Sequence, residues 1–334
     1  MKPFEGFPHV LEAQQFEPDT LESLFTVADA IRSSPDNFRG TLAGRKVALL
    51  FAQPSSRTRG SFQIAAEMLG AHVHVEEHMA AFSSVVKGES LEDTVRTFAR
   101  YGMQYFIIRW NAEGSVARAA AVAGPTIPVI NAGDGPGQHP TQALLDLYTI
   151  WQEFGAFTVP FPVCFVGDLA NSRTVHSLVY LLAKYELVQF RFVSPQSARM
   201  KPGIIEHLGR HGRIFEEHFE DGMPLAEAAF RSNMLYVTRP QLEYQDSDAG
   251  RQQLVEQYQQ FIVTSKVAHG MSQGSIILHP LPRNFELPEE VDANPRARYF
   301  DQVENGLWLR MALLERIENE RINRLAVAAS TTKP

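Results

Sequence analysis

The chain has 334 residues, a formal charge of −7 and 44% hydrophobic residues, with 22 Phe and 9 Tyr. That much apolar surface excludes a disordered acidic chain, and the acidic balance argues against a nucleic-acid binder, which usually carries a basic excess. Its one cysteine, Cys164, excludes an intramolecular disulfide and a Cys-based zinc site, and no apolar run approaches the ~18 residues of a membrane span. Residues 1–16 lack the apolar h-region of a signal peptide. The expectation is a soluble, cytoplasmic protein of two domains, with no nucleic-acid or membrane partner.

In chain order, residues 45–51 read as a strand. A helix follows over 61–69, whose Phe62, Ile64, Ala65, Met68 and Leu69 fit one face. Further compact apolar runs lie at 105–109, 127–131, 163–167, 190–194, 234–238 and 275–279. His72, His74 and Glu76 alternate as one face of a strand does. A metal would need more ligands than this set offers, and none is assigned. A helix is expected over 143–154, and a long terminal helix over 300–325. Strands spaced by helices predict an α/β chain of two doubly wound parallel-sheet domains, joined by interdomain helices. The pivot is placed near Gln138–Gln142. One domain then comprises residues 1–140 plus a C-terminal helix 301–330, and the other residues 141–300.

In such sheets ligands bind beyond the carboxyl ends of the strands. There the sequence carries Ser55, Ser56, Arg57 and Thr58, between a strand and a helix. Helix N-termini present unpaired N–H groups, and arginine binds phosphate through paired N–H bonds. Arg109 closes the run 105–109. His139 and Gln142 lie on a Gly-rich turn entering a helix. Arg173 follows Gly167-Asp168-Leu169, Arg239 and Gln241 follow the run 234–238, and His279-Pro280-Leu281-Pro282-Arg283 follows 275–278. Any one of these could be a cap or a solvated charge, but their recurrence at successive strand ends argues for an anion pocket between two domains.

These motifs, in this order, resemble the aspartate and ornithine carbamoyltransferases from about residue 40 to about residue 320. The run from Asn294 to Leu314 resembles the aspartate branch. So do Pro280, where ornithine enzymes carry cysteine, and Arg239-x-Gln241. The resemblance implies that Ser55, Ser56, Arg57 and Thr58 hold the phosphate of carbamoyl phosphate. It also implies that Arg109, His139 and Gln142 hold the carbamoyl group, with a backbone carbonyl from Leu281. Ser83 and Lys87 belong to a loop that, in the family, reaches a neighbouring subunit's site. Lys87, Arg173, Arg239, Gln241 and Pro282 would bind aspartate. Arg57, Thr58, Lys87, Arg109 and His139 would be catalytic, and no cofactor or metal is implied.

The same resemblance implies a homotrimer with shared sites, in which domain 1–140 binds carbamoyl phosphate and domain 141–300 binds aspartate. A regulatory or dihydroorotase-like partner chain is a further expectation. Gln53 and Tyr244 depart from the family's common Glu and Arg; losing both leaves neither charge stranded. The competing readings are a carbamoyltransferase for another amino acceptor and a non-catalytic carbamoyltransferase-like subunit.

Overall fold

The computed structural model describes residues 9–53, 55–79, 88–242 and 247–331. By its contacts the chain forms two units, Met1–Tyr148 with Val303–Pro334, and Thr149–Gln302.

The first unit is built on a four-stranded, wholly parallel sheet of order β2-β1-β3-β4. Its strands are β1 (Lys46–Phe51), β2 (His72–Glu77), β3 (Tyr105–Trp110) and β4 (Val129–Asp134). Every residue of β1 after Lys46 is buried, as expected of a parallel strand covered on both faces. Its helices include α1 (Pro18–Ser33), α2 (Ser56–Met68), α3 (Leu91–Arg100) and α4 (Ser115–Ala123). Helix α2 starts five residues before the expected Ser61, because its first turn, Ser-Arg-Thr-Arg-Gly, is polar and shows no apolar period.

Strand β4 runs on into Asn-Ala-Gly-Asp, beyond the apolar run. There Asn131 earns a buried place with its amide: Nδ2 donates to the Leu11 carbonyl at 2.8 Å, and Oδ1 accepts from Gly133 N at 2.8 Å. On β2, at one edge of the sheet, the His74 ring lies 2.9 Å from Glu76 Oε1 and packs on Phe98. Among the described residues no group of three or more His, Cys, Asp or Glu could hold a metal ion.

The second unit carries a five-stranded, wholly parallel sheet of order β7-β6-β5-β8-β9. The strands are β5 (Phe161–Gly167), β6 (Val188–Val193), β7 (Ile214–His218), β8 (Met234–Thr238) and β9 (Ile276–Leu278). Strand β7 has no counterpart in the expected elements. It is an edge strand reading Ile-Phe-Glu-Glu-His, and its glutamates pair with arginines, Glu216 with Arg191 and Glu217 with Arg199. Charge on a sheet edge suppresses the apolar signal and discourages edge-to-edge pairing. Cys164 sits in the core of this unit with Val166, Leu235 and Ile277; burial pushes its thiol up to about 12, which leaves it inert.

The chain passes between units inside two helices, α5 (Pro140–Phe154) and the terminal helix Tyr299–Thr331. The divisions fall at 148/149 and 302/303, against the expected 140/141 and 300/301. Tyr148 belongs with the first unit because its hydroxyl donates to Asp29 of α1 at 2.6 Å and its ring meets Phe25. The terminal helix belongs there through Glu318, buried at 1% exposure, which accepts from Tyr105 and from Arg45. Among the described residues no helix is long and apolar enough to cross a membrane.

Candidate functional site

In the first unit the sheet register brings three loops together at the carboxyl edge. Phe51 of β1 lies opposite Arg109 of β3, and Ala52 N donates to the Arg109 carbonyl at 2.9 Å. Ser55, the N-cap of α2, is therefore only three residues from that junction. Thr58 is buried, while Ser56 and Arg57 are exposed on the helix's first turn. A 13-residue helix adds its positive dipole end there, which suits an anion. The neighbouring Arg59 faces elsewhere: it pairs with Glu77 of β2 and donates to Gln63. Of the two arginines in the motif, Arg57 is the exposed one, on the first turn of the helix at the sheet edge.

The third loop leaves β4. The ladder ends where Asp134 lies opposite Trp110; Asp134 N donates to the Gln138 carbonyl at 3.1 Å, and Gly137 N donates to the Asp134 carbonyl at 2.8 Å. This tight return requires Gly135, at φ 50°, where a Cβ would stand 2.4 Å from the Asn111 carbonyl oxygen. The Asp134 carboxylate meanwhile accepts from Gly114 N at 2.8 Å, anchoring the start of α4. The chain then enters α5 with His139 and Gln142, both buried. Arg109 Nη1 donates to the Ala132 carbonyl at 3.4 Å, tying the arginine to the same strand. Ser55, Ser56, Arg57, Thr58, Arg109, His139 and Gln142 thus share the carboxyl edge of one sheet.

Behind this edge lie groups that the strand-end rule does not single out. Gln142 Nε2 donates to Asp146 Oδ1 at 2.7 Å, and Asp146 is fully buried. Arg310, on the terminal helix, is 4% exposed and lies 5.0 Å from the ring centroid of Phe62. Burial pulls Arg310 down to about 10, opposed by the negative charge of Asp146, so it stays a cation at neutral pH. The spacing of Gln142 and Asp146, one helical turn apart, was the available signal for the first of these; nothing in the sequence ties Arg310 to them.

In the second unit β5, β8 and β9 are neighbours, and the remaining residues follow them. Gly167, at φ 116°, lies opposite Thr238, whose carbonyl oxygen would be 2.0 Å from a Cβ at that position. Asp168 accepts from Asn171 N and from Asn171 Nδ2, each at 3.1 Å. Burial raises the Asp168 carboxyl, against which Asn171 and the nearby Arg239 both favour the charged form. Gln241 Nε2 donates to the Asn171 carbonyl at 3.2 Å, and Thr238 Oγ1 donates to Ser172 Oγ at 3.0 Å. The loops bearing Arg173, Arg239 and Gln241 are in this way stitched to one another. Asp168 lies in the sequence motif that carries Arg173.

After β9, His279 and Glu286 form a fully buried pair. His279 Nδ1 accepts from Leu281 N at 2.8 Å, so Nε2 carries the proton and donates to Glu286 Oε1 at 3.1 Å. Glu286 Oε1 also accepts from Asn284 N at 2.8 Å. Burial lowers His279, consistent with a neutral ring. The pair holds Leu281 at φ 52°, a left-handed conformation costly for leucine, ahead of a cis bond to the exposed Pro282. Ser83, Lys87 and Tyr244 lie outside the described residues.

Comparison with known proteins gives one consistent result. Residues 8–152 match the family model described as aspartate/ornithine carbamoyltransferase, carbamoyl-P binding domain, and residues 161–317 the corresponding Asp/Orn binding domain. The chain is 45% identical to aspartate carbamoyltransferase 3, chloroplastic, of Pisum sativum, over 92% of this chain and 76% of that protein. It is 42% identical to the multifunctional protein CAD of Squalus acanthias, over 94% of this chain but 13% of that protein. Among solved structures, it resembles the Trypanosoma cruzi aspartate transcarbamoylase in complex with N-(phosphonacetyl)-L-aspartic acid. There the TM-score is 0.83 and the identity 34%, over 92% of this chain and 95% of that one. It also resembles the catalytic subunit of the M. jannaschii aspartate transcarbamoylase, with TM-score 0.82 and 36% identity over 92% and 97% of the two chains.

Proposed function

The chain belongs to the aspartate/ornithine carbamoyltransferase family, and we propose that it transfers the carbamoyl group of carbamoyl phosphate to the amino group of L-aspartate. The products are N-carbamoyl-L-aspartate and phosphate, a step of de novo pyrimidine synthesis. The observation that carries this reading is the gathering of Ser55–Thr58, Arg109, His139 and Gln142 at one sheet edge, around a helix N-terminus. Such a set of donors fits a small phosphorylated amide and needs no nucleophilic side chain.

In this reading the phosphate meets the N-terminus of α2 with Ser55, Ser56, Arg57 and Thr58. The uncharged amine of aspartate attacks the carbonyl carbon, and an oxyanion develops. Arg109, His139 and Thr58 act as the donors that stabilise it. The C–O bond to phosphate then breaks; phosphate leaves with the electron pair and takes up the proton shed by the amine. Arg57 and Lys87 neutralise the departing charge. Arg173, Arg239 and Gln241 read the aspartate carboxylates, with Pro282 beside them, and the Leu281 carbonyl accepts from the carbamoyl nitrogen. Catalysis is then orientation and electrostatics.

An assay for ureido product, with carbamoyl phosphate and a panel of amines, tests this reading. Product with L-aspartate is expected. Product only with another amine would replace the acceptor, and none with any amine would leave a non-catalytic subunit. We further propose a homotrimer in which Ser83 and Lys87 act in a neighbouring subunit's site. Light scattering checks the trimer. Mixing Lys87→Ala with Arg57→Ala protein should restore part of the activity; no recovery would count against a shared site. Relatives in which the matched segment is 13% of a multifunctional protein support association with a partner chain, regulatory or dihydroorotase-like. The buried, unpaired thiol of Cys164 suits the reducing cytoplasm, and fractionation of cells decides between that and a plastid of the kind named for the plant relatives.

A further inference from the structure

An amide side chain has two ends of opposite chemistry, an oxygen that accepts and an NH2 that donates. Which end Gln142 offers a ligand is settled one turn along its own helix. Its Nε2 donates to Asp146 Oδ1 at 2.7 Å. An ionised carboxylate has only acceptors to offer, so the oxygen end of the amide cannot take that place. Asp146 is fully buried, and an ionised carboxylate there needs a nearby cation. Arg310 supplies it.

Arg310 is itself held by two contacts. Its guanidinium lies over the Phe62 ring at 5.0 Å, and Nη1 donates to the Gly306 carbonyl at 3.2 Å. Gly306 makes the room: a Cβ there would stand 2.7 Å from Nη1 and 3.1 Å from Leu145. Phe62 lies one turn beyond Thr58 on α2. The same arginine therefore backs the helix assigned to the phosphate and the carboxylate that grips Gln142.

We propose that Asp146 and Arg310 act as positioning residues that commit the Gln142 amide to present its oxygen, making it an acceptor for a carbamoyl NH2 and selecting carbamoyl phosphate over acyl phosphates. In acetyl phosphate a methyl group occupies the place of that NH2 and donates nothing. The inference rests on the reading that Gln142 meets the carbamoyl group.

The test uses initial rates of the full chain. The KM for carbamoyl phosphate is measured alongside the competitive inhibition constants of acetyl phosphate and inorganic phosphate. In Asp146→Asn the partner can donate as well as accept, so the amide of Gln142 is free to turn. The preference for carbamoyl over acetyl phosphate should then fall roughly five- to tenfold, the worth of one hydrogen bond, with inhibition by inorganic phosphate unchanged. Asp146→Glu, which keeps a carboxylate, should recover part of the preference. Should Asp146→Asn fail to fold, the double variant Asp146→Leu/Arg310→Met strands no charge and should show the same fall. An unchanged preference in either folded variant overturns the inference, as does an equal loss for inorganic phosphate in Asp146→Asn. Wild-type protein that neither transfers the carbamoyl group nor binds carbamoyl phosphate would instead remove the functional reading beneath it.

Discussion

His176 gives a pH dependence whose size can be worked from the structure. It lies on the helix Arg173–Leu182, 3% exposed, with Nε2 donating to the Leu169 carbonyl at 2.7 Å. Burial is the leading cause that pulls it from 6.5 to about 4; the carbonyl opposes the shift and the charge of Lys201 adds to it. Above pH 6.5 the ring is neutral in both folded and unfolded chains, and its contribution is fully present. As pH falls from 6.5 towards 4, the unfolded chain takes up a proton that the folded one refuses, so stability is lost. Below 4 both are protonated and the loss levels off. The shift corresponds to about 3 kcal/mol in all, of which about 2 kcal/mol is gone by pH 5. His176→Gln keeps an N–H for Leu169 and has no proton to gain. Urea unfolding of both proteins at pH 7.5, 6 and 5 isolates the effect, because every other titrating group is common to the pair. The variant should gain about 2 kcal/mol on wild type between pH 7.5 and pH 5. A difference constant with pH would refute the argument.

Gly167→Ala places a Cβ 2.0 Å from the Thr238 carbonyl oxygen at a φ of 116°. Strain and overpacking together should cost roughly 4 kcal/mol, read as a lower urea midpoint, and aspartate affinity should fall as Asp168 and Arg239 are displaced. Arg57→Ala removes an exposed side chain at the start of α2, so the urea midpoint should hold while ureido formation drops about 100- to 1,000-fold. Glu286→Ala strands the His279 Nε2–H in a buried site and takes away the acceptor of the Asn284 N–H, costing roughly 2–3 kcal/mol. Glu286→Gln retains an oxygen acceptor and should stay near wild type in the same unfolding assay. Cys164, with its thiol raised to about 12 by burial, should resist Ellman's reagent in the native protein and react fully once the chain is unfolded in urea.

What the sequence made legible follows from where apolar character lies. Val-Ala-Leu-Leu-Phe of β1 is buried throughout, so its composition alone marks a strand. β7 hides because Glu216 and Glu217 face arginines rather than a core. The strand-end rule picks out Arg109, His139 and Arg239 without any view of the fold, and each lies at or after the carboxyl end of a strand. It singles out Arg57 but says nothing of where Arg59 goes, which is toward Glu77, a residue 18 positions on that only sheet pairing brings near. Arg310 draws no notice in the sequence, because its partners Phe62 and Asp146 are distant along the chain. The helix-internal unit divisions were also out of reach: what assigns Tyr148 to the first unit is a hydrogen bond to Asp29.

Each unit repeats one arrangement. A group assigned to substrate stands at a strand end, and a buried polar group stands behind it: Asp146 behind Gln142, Asp168 beside Arg239, His279 with Glu286 behind Leu281. Buried charged or hydrogen-bonded networks of this kind add little to stability, because desolvation offsets most of the attraction. Apolar residues of similar volume would serve a core as well. What apolar residues cannot do is fix which end of an amide faces a ligand, or hold a leucine in a left-handed conformation so that its carbonyl is presented. The polar groups beneath the strand ends are therefore best understood as orienting the site. Asp146, Asp168 and Glu286, all buried, each restrain a neighbouring polar group in this way: the Gln142 amide, the Asn171 amide and the His279 ring.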